Sequence, residues 1–206
     1  MIDLRTEDGI AVLTMAHGKA NALDTEFCNA LADRFDALRS DPAKAVVITA
    51  EGKIFSAGVD LKRLSEGGAD YVRQFLPSLH RLYEAVYFHP KPVVAAINGH
   101  AVAGGCILAA CADRRIMAFG SGRIGVTELL VGVPFPPLAF EVVRSAVPER
   151  FLAEVTYSGA TYDTDAALER GWIDETAEPD ELMEDALAVA QELAELSPLA
   201  FAQTKE

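Results

Sequence analysis

The chain has few cysteines and no disulfide pattern. Its three cysteines, Cys28, Cys106 and Cys111, are odd in number and lie in apolar or helical contexts, which is typical of buried thiols in a reducing compartment. The four histidines are scattered, without the paired spacing or the Cys-x-x-Cys arrangement that a zinc site needs. We therefore expect neither a disulfide framework nor a bound metal.

Positive charge is also scarce. The 206 residues include 18 Lys and Arg against 31 Asp and Glu, which gives a formal net charge of -13. Nucleic acids and anionic membranes bind proteins through clustered Lys and Arg, which release counterions from phosphates. The composition therefore argues against nucleic-acid and membrane partners, and any anionic ligand needs local positive charge.

Long apolar runs are missing too. The longest, around residues 108–111, is interrupted by charges within a few residues and falls far short of the roughly 20 residues of a membrane span. The first five residues show no signal-peptide or presequence pattern. With 50% hydrophobic residues, the chain suits one domain with a sizeable core. We expect a soluble cytoplasmic protein.

Strand and helix patterns alternate along the chain. Residues 2–4 and 10–14 flank the turn Glu7-Asp8-Gly9, which predicts a hairpin. Residues 45–50 and 93–97 are short runs that are apolar on both faces, as in buried parallel strands, and residues 115–118 form a similar run. Helical spacing of apolar residues predicts helices over residues 24–40, 71–88, 103–111, 140–145, 148–157, 163–170 and 179–196. The order of elements predicts a mainly parallel α/β sheet.

Two glycine-bearing turns follow the two buried strands. They are residues 55–60 and 103–106, and ligands in open α/β sheets bind at the carboxyl ends of such strands. Small residues allow close backbone approach, and free N–H groups at a helix start favour negative charge. Two N–H groups could thus converge on one oxygen. From spacing alone, ordinary tight turns explain the pattern equally well.

Other glycine motifs are incomplete. Gly52-Lys53 lacks the preceding glycine and the following Ser or Thr of a P-loop, and residues 99–105 do not match the dinucleotide spacing. Phe119 stands where a nucleophile elbow requires glycine. These mismatches argue against a nucleotide-binding protein and against a nucleophilic hydrolase.

Several motifs in order together resemble the crotonase (enoyl-CoA hydratase/isomerase) superfamily. They are residues 17–23, 53–61, 91–99, 103–106, 113–116, 157–159 and 166–174, which span nearly the whole chain. The resemblance implies one α/β domain, a crotonase-like (ClpP/crotonase) spiral of ββα units over about residues 1–135 with a helical region over about 136–206. It also implies an acyl-CoA thioester as substrate, no cofactor, and a homotrimer or a dimer of trimers.

The resemblance assigns roles to individual positions. The thioester oxygen would be held by the backbone N–H groups of Val59 and Gly104. The substrate and CoA path would be lined by Lys19, Asn21, Ala22, Leu23, Lys53, Ala57, Gly58, Asp60, Leu61, Lys62, Ala103, Gly105 and Val133. Lys53 and Lys62 stand where basic side chains could meet the CoA phosphates, although solvated surface charge explains them equally well.

Family hydratases use two glutamates, and this chain keeps one of them. Ile107 occupies one of the two positions and Glu128 the other. Adding water generally needs two positioned acid/base groups, whereas one carboxylate can take a proton from C2 and return it at C4. Residues 103–106 and 128–135 also resemble the Δ3,Δ2-enoyl-CoA isomerase branch. We therefore expect a 3-enoyl-CoA isomerase in which Glu128, among apolar neighbours, has a raised pKa.

Alternatives stay open at this point. The protein could be an enoyl-CoA hydratase of fatty-acid β-oxidation if another acid such as Glu141 reaches the site, or a non-catalytic acyl-CoA-binding homologue. Thioester hydrolysis and decarboxylation also need only one acid. The acyl length depends on how Leu76, Leu79, Phe135 and Leu138 pack. The chain also looks short for the family, whose members usually carry further C-terminal helices.

Overall fold

The computed structural model describes residues 1–205. Its strands are β1 (Ile2–Glu7), β2 (Ile10–Met15), β3 (Ala45–Ala50), β4 (Ile54–Ser56), β5 (Val93–Ile97), β6 (His100–Val102), β7 (Arg114–Ala118), β8 (Ile124–Gly125) and β9 (Glu175–Ala177). Its α-helices are α1 (Thr25–Leu38), α2 (Leu61–Tyr87), α3 (Gly104–Ala110), α4 (Pro137–Ala146), α5 (Glu149–Tyr157), α6 (Thr164–Glu169), α7 (Leu182–Ala194) and α8 (Pro198–Lys205). A 3₁₀ turn covers Glu128–Val131.

The larger sheet has six strands in the order β1-β2-β3-β5-β7-β9. Only β1 and β2 pair antiparallel, and every later pair is parallel. The β1–β2 turn holds Asp8 and Gly9 at positive φ, 46° and 81°, the conformation that two-residue hairpin turns require. The predicted hairpin and the predicted mainly parallel sheet are both confirmed.

Both faces of this sheet are covered. The helix α7 packs on one face, where Leu182, Ala186 and Ala190 join apolar residues of β2, β3, β5 and β7 in one core cluster. The other face contributes to a larger core that includes residues of α1, α2 and α3. Strands buried on both faces are apolar at every position, which explains the continuous apolar runs of β3 and β5.

A second, smaller sheet positions the site. It consists of the parallel strands β4, β6 and β8, each of only two or three residues. The turn after β4 begins at Ala57, the turn after β6 begins at Ala103, and the segment after β8 leads to Glu128. The sequence suggested that the two turns follow β3 and β5 directly. In the structure they follow the short strands β4 and β6 instead. All three segments begin at the carboxyl ends of strands in one parallel sheet, and therefore on the same side of it.

The helix α2 is longer than predicted and is kinked. It begins at Leu61 rather than Tyr71, and Gly68 interrupts it with φ 57° and ψ -152°. Asp60 caps its first turn by accepting a hydrogen bond from the Arg63 N–H at 3.0 Å. The two consecutive glycines resemble a loop in the sequence, which concealed the first helical segment.

The C-terminal region is mostly but not wholly helical. The strand β9 lies inside it and pairs with β7 at the edge of the larger sheet, so the helical region also contributes to the sheet. The short helix α8 follows, and Lys205 Nζ lies 2.9 Å from Asp113 Oδ2. Among residues 1–205, none of the helices combines the length and the apolar character needed to span a membrane.

Candidate active site

A cavity of about 520 Å³ lies beside the ends of the small sheet. Its lining is mainly aliphatic and aromatic: Ala57, Val59, Leu61, Leu64, Val72, Phe75, Leu76, Leu79, Ala103, Gly104, Ile107, Val131, Val133, Pro134, Phe135, Pro136, Pro137 and Ala139. The polar lining consists of His80, Tyr83, Thr127 and Glu128. Apolar pockets with a few convergent polar groups are the usual form of small-molecule sites.

The first turn leaves one amide without a partner. Three of its four N–H groups are used: Ala57 donates to the Ala20 carbonyl at 2.9 Å, Gly58 to Ser56 Oγ at 3.2 Å, and Asp60 to the Leu23 carbonyl at 3.0 Å. The N–H of Val59 donates to no other residue within the described range 1–205. This turn therefore presents a single free donor at the edge of the cavity.

The second turn also presents free amides. The Ala103 N–H donates to the Gly125 carbonyl at 2.9 Å, and the Ala103 carbonyl accepts from Cys106 and Ile107. Gly104 and Gly105 occupy the first two positions of α3, where helical N–H groups have no partner inside the helix. Ala103 itself has φ 50° and ψ -129°, a backbone conformation that costs about 1–3 kcal/mol in a non-glycine residue.

The two turns touch through their glycines. A Cβ on Gly58 would lie 2.7 Å from the Val102 carbonyl oxygen and 2.9 Å from the Gly104 nitrogen. A Cβ on Gly105 would overlap the Ser56 backbone. Only glycine permits this approach. It brings the turn that holds the free N–H of Val59 against the turn that holds the free N–H of Gly104, and two such donors directed at one oxygen would stabilise negative charge on it.

Glu128 begins the 3₁₀ turn and lines the same cavity. It is 8% exposed, and its Oε2 atom is buried without a hydrogen-bond partner in the described structure. Burial raises the pKa of its carboxyl group above the ordinary value, against a smaller opposing effect of nearby backbone N–H groups. A carboxyl group of this kind is suited to exchanging a proton with a bound molecule.

The lining contains no second carboxyl group within residues 1–205. Ile107, the residue in the place of the missing acid, is 2% exposed and faces this cavity. Glu141 does not line it: it lies on α4 in a separate groove, where its Oε2 accepts from Arg144 Nε at 2.9 Å. The suggestion that Glu141 could supply a second acid therefore finds no support in the structure.

The structure separates the predicted site residues into three groups. Those that line the cavity are Ala57, Val59, Leu61, Ala103, Gly104, Glu128 and Val133. Those that lie behind it, buried or half-buried, are Asn21, Ala22, Leu23, Gly58, Asp60 and Gly105. The exposed ones are Lys19, Lys53 and Lys62.

The second group has structural partners of its own. The side chain of Asn21 donates to the Ile54 carbonyl at 3.0 Å and accepts from the His17 N–H at 2.7 Å. Leu23 forms a parallel bridge with Val59, which orders the first turn. These residues therefore contribute to the turn geometry, and the structure shows no side chain of theirs in the cavity.

The exposed lysines flank the turns. Lys62 Nζ lies 3.9 Å from Glu66 Oε1, while Lys19 and Lys53 form no ion pair within the described residues. Free exposed ammonium groups near a ligand site can attract phosphates in a chain of negative net charge. Their role towards CoA remains a prediction.

The helix α2 contributes one wall of the cavity, and the sequence identified only part of it. Of the four residues expected to set the acyl length, Leu76, Leu79 and Phe135 line the cavity, whereas Leu138 lines the separate groove. Tyr83 also lines the cavity, and its hydroxyl donates to the Gly104 carbonyl at 3.0 Å. The only signal in the sequence is the helical spacing from Leu76 and Leu79 to Tyr83, which places all three on one face.

Comparison with known proteins gives consistent matches. A family model described as "Enoyl-CoA hydratase/isomerase" matches residues 5–206. A protein of Thermus thermophilus named "Putative enoyl-CoA hydratase" is 38% identical over 192 residues, which cover 91% of this chain and 75% of that protein. The carnitinyl-CoA dehydratase of Salmonella typhimurium is 33% identical over 205 residues, covering 96% of this chain and 76% of its own.

Solved structures give the same picture. Two structures of one Mycobacterium tuberculosis protein match 99% of this chain at 34% identity, with TM-scores of 0.93 and 0.92 and with 86% and 88% of those chains covered. One names it a probable enoyl-CoA hydratase and the other an enoyl-CoA isomerase. The similarity thus supports the fold strongly and leaves the reaction to be argued from the cavity.

Proposed function

The chain belongs to the enoyl-CoA hydratase/isomerase family, with its α/β crotonase-like fold, and on that premise we propose that it shifts the double bond of a 3-enoyl-CoA to give the 2-enoyl-CoA. One observation carries the proposal. Within residues 1–205, Glu128 is the single carboxyl side chain of a cavity whose lining also includes Val59 and Gly104, two residues with unpaired N–H groups.

The proposed reaction needs one proton carrier. The thioester oxygen of the substrate accepts hydrogen bonds from the Val59 and Gly104 N–H groups. The Glu128 carboxylate takes a proton from C2, and the electrons of that C–H bond delocalise onto the thioester oxygen to give a dienolate. The protonated Glu128 then delivers the same proton to C4. The carbonyl reforms, the double bond lies between C2 and C3, and the carboxylate is restored.

The energetics of the site favour this route. Amides fixed by the fold do not reorganise as negative charge grows on the oxygen, and each such donor typically contributes a factor of about 10²–10³ to kcat. The raised pKa of Glu128 brings the basicity of the carboxylate closer to that of the dienolate carbon. The apolar lining excludes water from the reactive intermediate.

Hydration of a 2-enoyl-CoA is the second candidate, favoured by the hydratase and dehydratase names of the relatives. Hydration needs a group to activate water and a group to protonate C2. The aliphatic side chain of Ile107 can do neither. A non-catalytic acyl-CoA-binding protein would need no Glu128 in the cavity, and the unpartnered Oε2 atom of that residue argues for a chemical role.

The exposed lysines complete the proposal. We place the acyl chain against the α2 side of the cavity and the CoA moiety at its open end, towards Lys19, Lys53 and Lys62. Their ammonium groups offer the local positive charge that the phosphates of CoA need in a chain of net charge -13. This arrangement follows the family resemblance and the exposure of the three side chains.

The deciding experiment compares two substrates on two enzymes. Wild type and Glu128→Gln are assayed in parallel with a 3-enoyl-CoA and a 2-enoyl-CoA. We expect wild type to convert the 3-enoyl-CoA and Glu128→Gln to lose about 10³-fold in kcat. Glu141→Gln is the matched control, because it neutralises a carboxyl group outside the cavity. Full turnover by Glu128→Gln would refute the proposal, and tight CoA binding without turnover by wild type would establish the non-catalytic alternative.

Ile107→Glu tests the reason for the assignment. A carboxyl group at this position would supply the second acid that hydration requires, so we expect measurable hydration of a 2-enoyl-CoA. A wild-type enzyme that already hydrates the 2-enoyl-CoA faster than it isomerises the 3-enoyl-CoA would favour the second candidate.

A further inference from the structure

We infer that Tyr83 is a positioning residue for the oxyanion site: its hydroxyl holds the Gly104 carbonyl and so fixes the first turn of α3, which carries the Gly104 N–H that faces the thioester oxygen. The inference deepens the proposed function and rests on it in one respect, the use of the Gly104 amide as a donor. It concerns a residue of α2 for which neither the sequence motifs nor the family resemblance provides a role.

The contact between Tyr83 and Gly104 is direct and buried. The tyrosine is 1% exposed, lines the cavity, and donates from its hydroxyl to the Gly104 carbonyl at 3.0 Å. The same hydroxyl lies 2.9 Å from the position that a Cβ on Gly104 would take. The phenol therefore restrains Gly104 by a hydrogen bond and leaves no free space for a side chain at this position.

The start of α3 needs such a restraint. The helix has only seven residues, it opens with two glycines, and its N-cap residue Ala103 provides no side-chain hydrogen bond. Glycines have the widest conformational freedom of all residues, and the strained φ of Ala103 favours relaxation of the turn. The Ala103 carbonyl, which shares a peptide plane with the Gly104 N–H, accepts from Cys106 and Ile107, and a further, external contact on the Gly104 carbonyl is needed to fix the backbone on the other side of that glycine.

The helix α2 supplies that external contact from a rigid base. Leu79, Leu82 and Val86 of α2 are buried in the main core around Tyr83. A hydrogen bond from α2, which is fixed by the core, limits the motion of the short helix α3. The restraint acts on the carbonyl of Gly104 and limits rotation about the Cα–C bond of this residue, so that Gly104 and the first turn of α3 keep their place at the cavity.

Tyr83 acts as a fixed donor and not as a proton carrier. Its hydroxyl has one hydrogen, which the Gly104 carbonyl accepts. Complete burial, with further contributions from nearby groups that include Glu128, raises the pKa of Tyr83 well above its ordinary value. The hydroxyl consequently keeps its proton through the pH range in which Glu128 titrates, and the restraint does not vary with pH.

A tyrosine that only fills space would behave differently on removal of its hydroxyl. Tyr83→Phe keeps the ring and its packing but deletes the hydrogen bond. If the bond orients the oxyanion donor, the loss appears in the transition state, where charge on the oxygen is greatest. If the ring merely packs, kcat and the polarisation of a bound thioester stay unchanged.

The test measures carbonyl polarisation as well as turnover. The probe is a bound 2,4-dienoyl-CoA, whose thioester C=O stretch shifts to lower frequency when the oxygen receives strong hydrogen bonds. For Tyr83→Phe we expect kcat on a 3-enoyl-CoA to fall about tenfold, KM to change by less than about twofold, and the C=O stretch to move towards its value in free solution. Site-specific 3-fluorotyrosine at position 83, a stronger donor than tyrosine, should retain the wild-type shift or increase it.

Tyr71→Phe is the matched control. Tyr71 lies on the same helix, and its hydroxyl accepts a hydrogen bond from the Thr25 N–H at 3.3 Å, away from the cavity lining. This variant should leave kcat and the C=O stretch unchanged. Thermal unfolding of both variants shows whether either change lowers stability, which by itself would not move the C=O stretch.

The outcomes separate this inference from the proposed function. Unchanged kcat and an unchanged C=O stretch in Tyr83→Phe overturn the inference, as does a lowered melting temperature with an unchanged stretch. The stretch is measured again in the Glu128→Gln background, where turnover plays no part. A Tyr83-dependent shift there supports the inference even if wild type fails to isomerise any 3-enoyl-CoA. An unpolarised carbonyl in wild type overturns the oxyanion site itself.

Discussion

The two turns that present the free amides occupy equivalent places after parallel strands but are held in different ways. The first turn, residues 57–60, is fixed almost entirely by its own backbone, through bonds to the Ala20 and Leu23 carbonyls and the bridge between Leu23 and Val59. The second, residues 103–105, also has backbone bonds at Ala103, to Gly125, Cys106 and Ile107, but it contains the strained Ala103 and is held at Gly104 by a hydrogen bond from the side chain of Tyr83.

The difference shows where tuning of this site is possible. A donor held by backbone hydrogen bonds is insensitive to most side-chain changes. The Gly104 donor depends in addition on a phenol from a residue that lies 21 positions away in sequence. The position of the Val59 N–H is thus set by backbone bonds, whereas the hydrogen bond that the Gly104 N–H can donate varies with the residue at position 83.

The largest effect is expected from Gly105→Ala. The added Cβ would overlap the Ser56 backbone, which cannot rotate aside, so the two turns must separate and both donors lose their alignment. We expect kcat/KM to fall by about 10³-fold. Gly52→Ala is the control, because its Cβ meets nothing within 4 Å and Gly52 does not line the cavity, so it should cost far less. Equal losses in the two variants would contradict the contact between the turns.

Gly58→Ala tests the same contact from the first turn. Its Cβ would lie 2.7 Å from the Val102 carbonyl oxygen, and its φ of 79° adds backbone strain. We expect a loss of about 10²-fold in kcat. Gly52→Ala separates the two causes, because Gly52 has a φ of 78° with nothing within 4 Å of the added Cβ. If both variants lose the same activity, strain alone accounts for the effect.

The pH dependence of activity distinguishes the contribution of the backbone N–H groups from that of the Glu128 carboxyl group. Only the ionised form of Glu128 can take the C2 proton, and burial raises its pKa above the ordinary 4.5. We expect kcat/KM to fall about tenfold per pH unit below that raised pKa. Gly104→Ala should lower the whole profile without moving its acid limb, because backbone amides do not titrate. An acid limb of the profile at the pKa of an ordinary exposed glutamate would contradict the claim that burial raises the pKa of Glu128.

The smallest effect is expected from Ser56→Ala. Its hydroxyl donates to the Asn21 carbonyl at 2.7 Å and accepts from the Gly58 N–H, so its loss removes two of the several bonds that fix the first turn. We expect kcat to fall about threefold and the free energy of unfolding by about 1–2 kcal/mol, with Ser78→Ala of α2 as the control. A larger kcat loss than that of Tyr83→Phe would reverse the comparison between the turns.

The sequence predicted the elements whose pattern is local. The hairpin, the buried strands β3 and β5 and the Asp24 cap of α1, which accepts from the Phe27 N–H at 2.8 Å, all follow from spacing and turn chemistry. The strands β4, β6 and β8 were missed, because two or three residues carry no periodicity. Their pairing depends on segments far apart in the chain.

The site shows the same division. Glu128 and the two glycine turns were identifiable because they belong to recurring motifs, and the structure brings them to one cavity. Tyr83 was not identifiable, because its importance arises from the packing of α2 against α3 and not from any short pattern. Glu141 was considered as a second acid for its position in the chain alone, and the fold directs it to another groove.

The close approaches at Gly58 and Gly105 also bear on how this sequence can change. Gly58 faces the backbone of Val102 and Gly104, and Gly105 faces the backbone of Ser56, so no side-chain substitution nearby can make room for a methyl group at either position. Once one replacement has forced the turns apart, a second should cost less than it does alone, a non-additivity typical of residues that share one space. Libraries that randomise the two positions independently would therefore consist almost wholly of inactive members, and grafting one turn without the other should not transfer the donor pair.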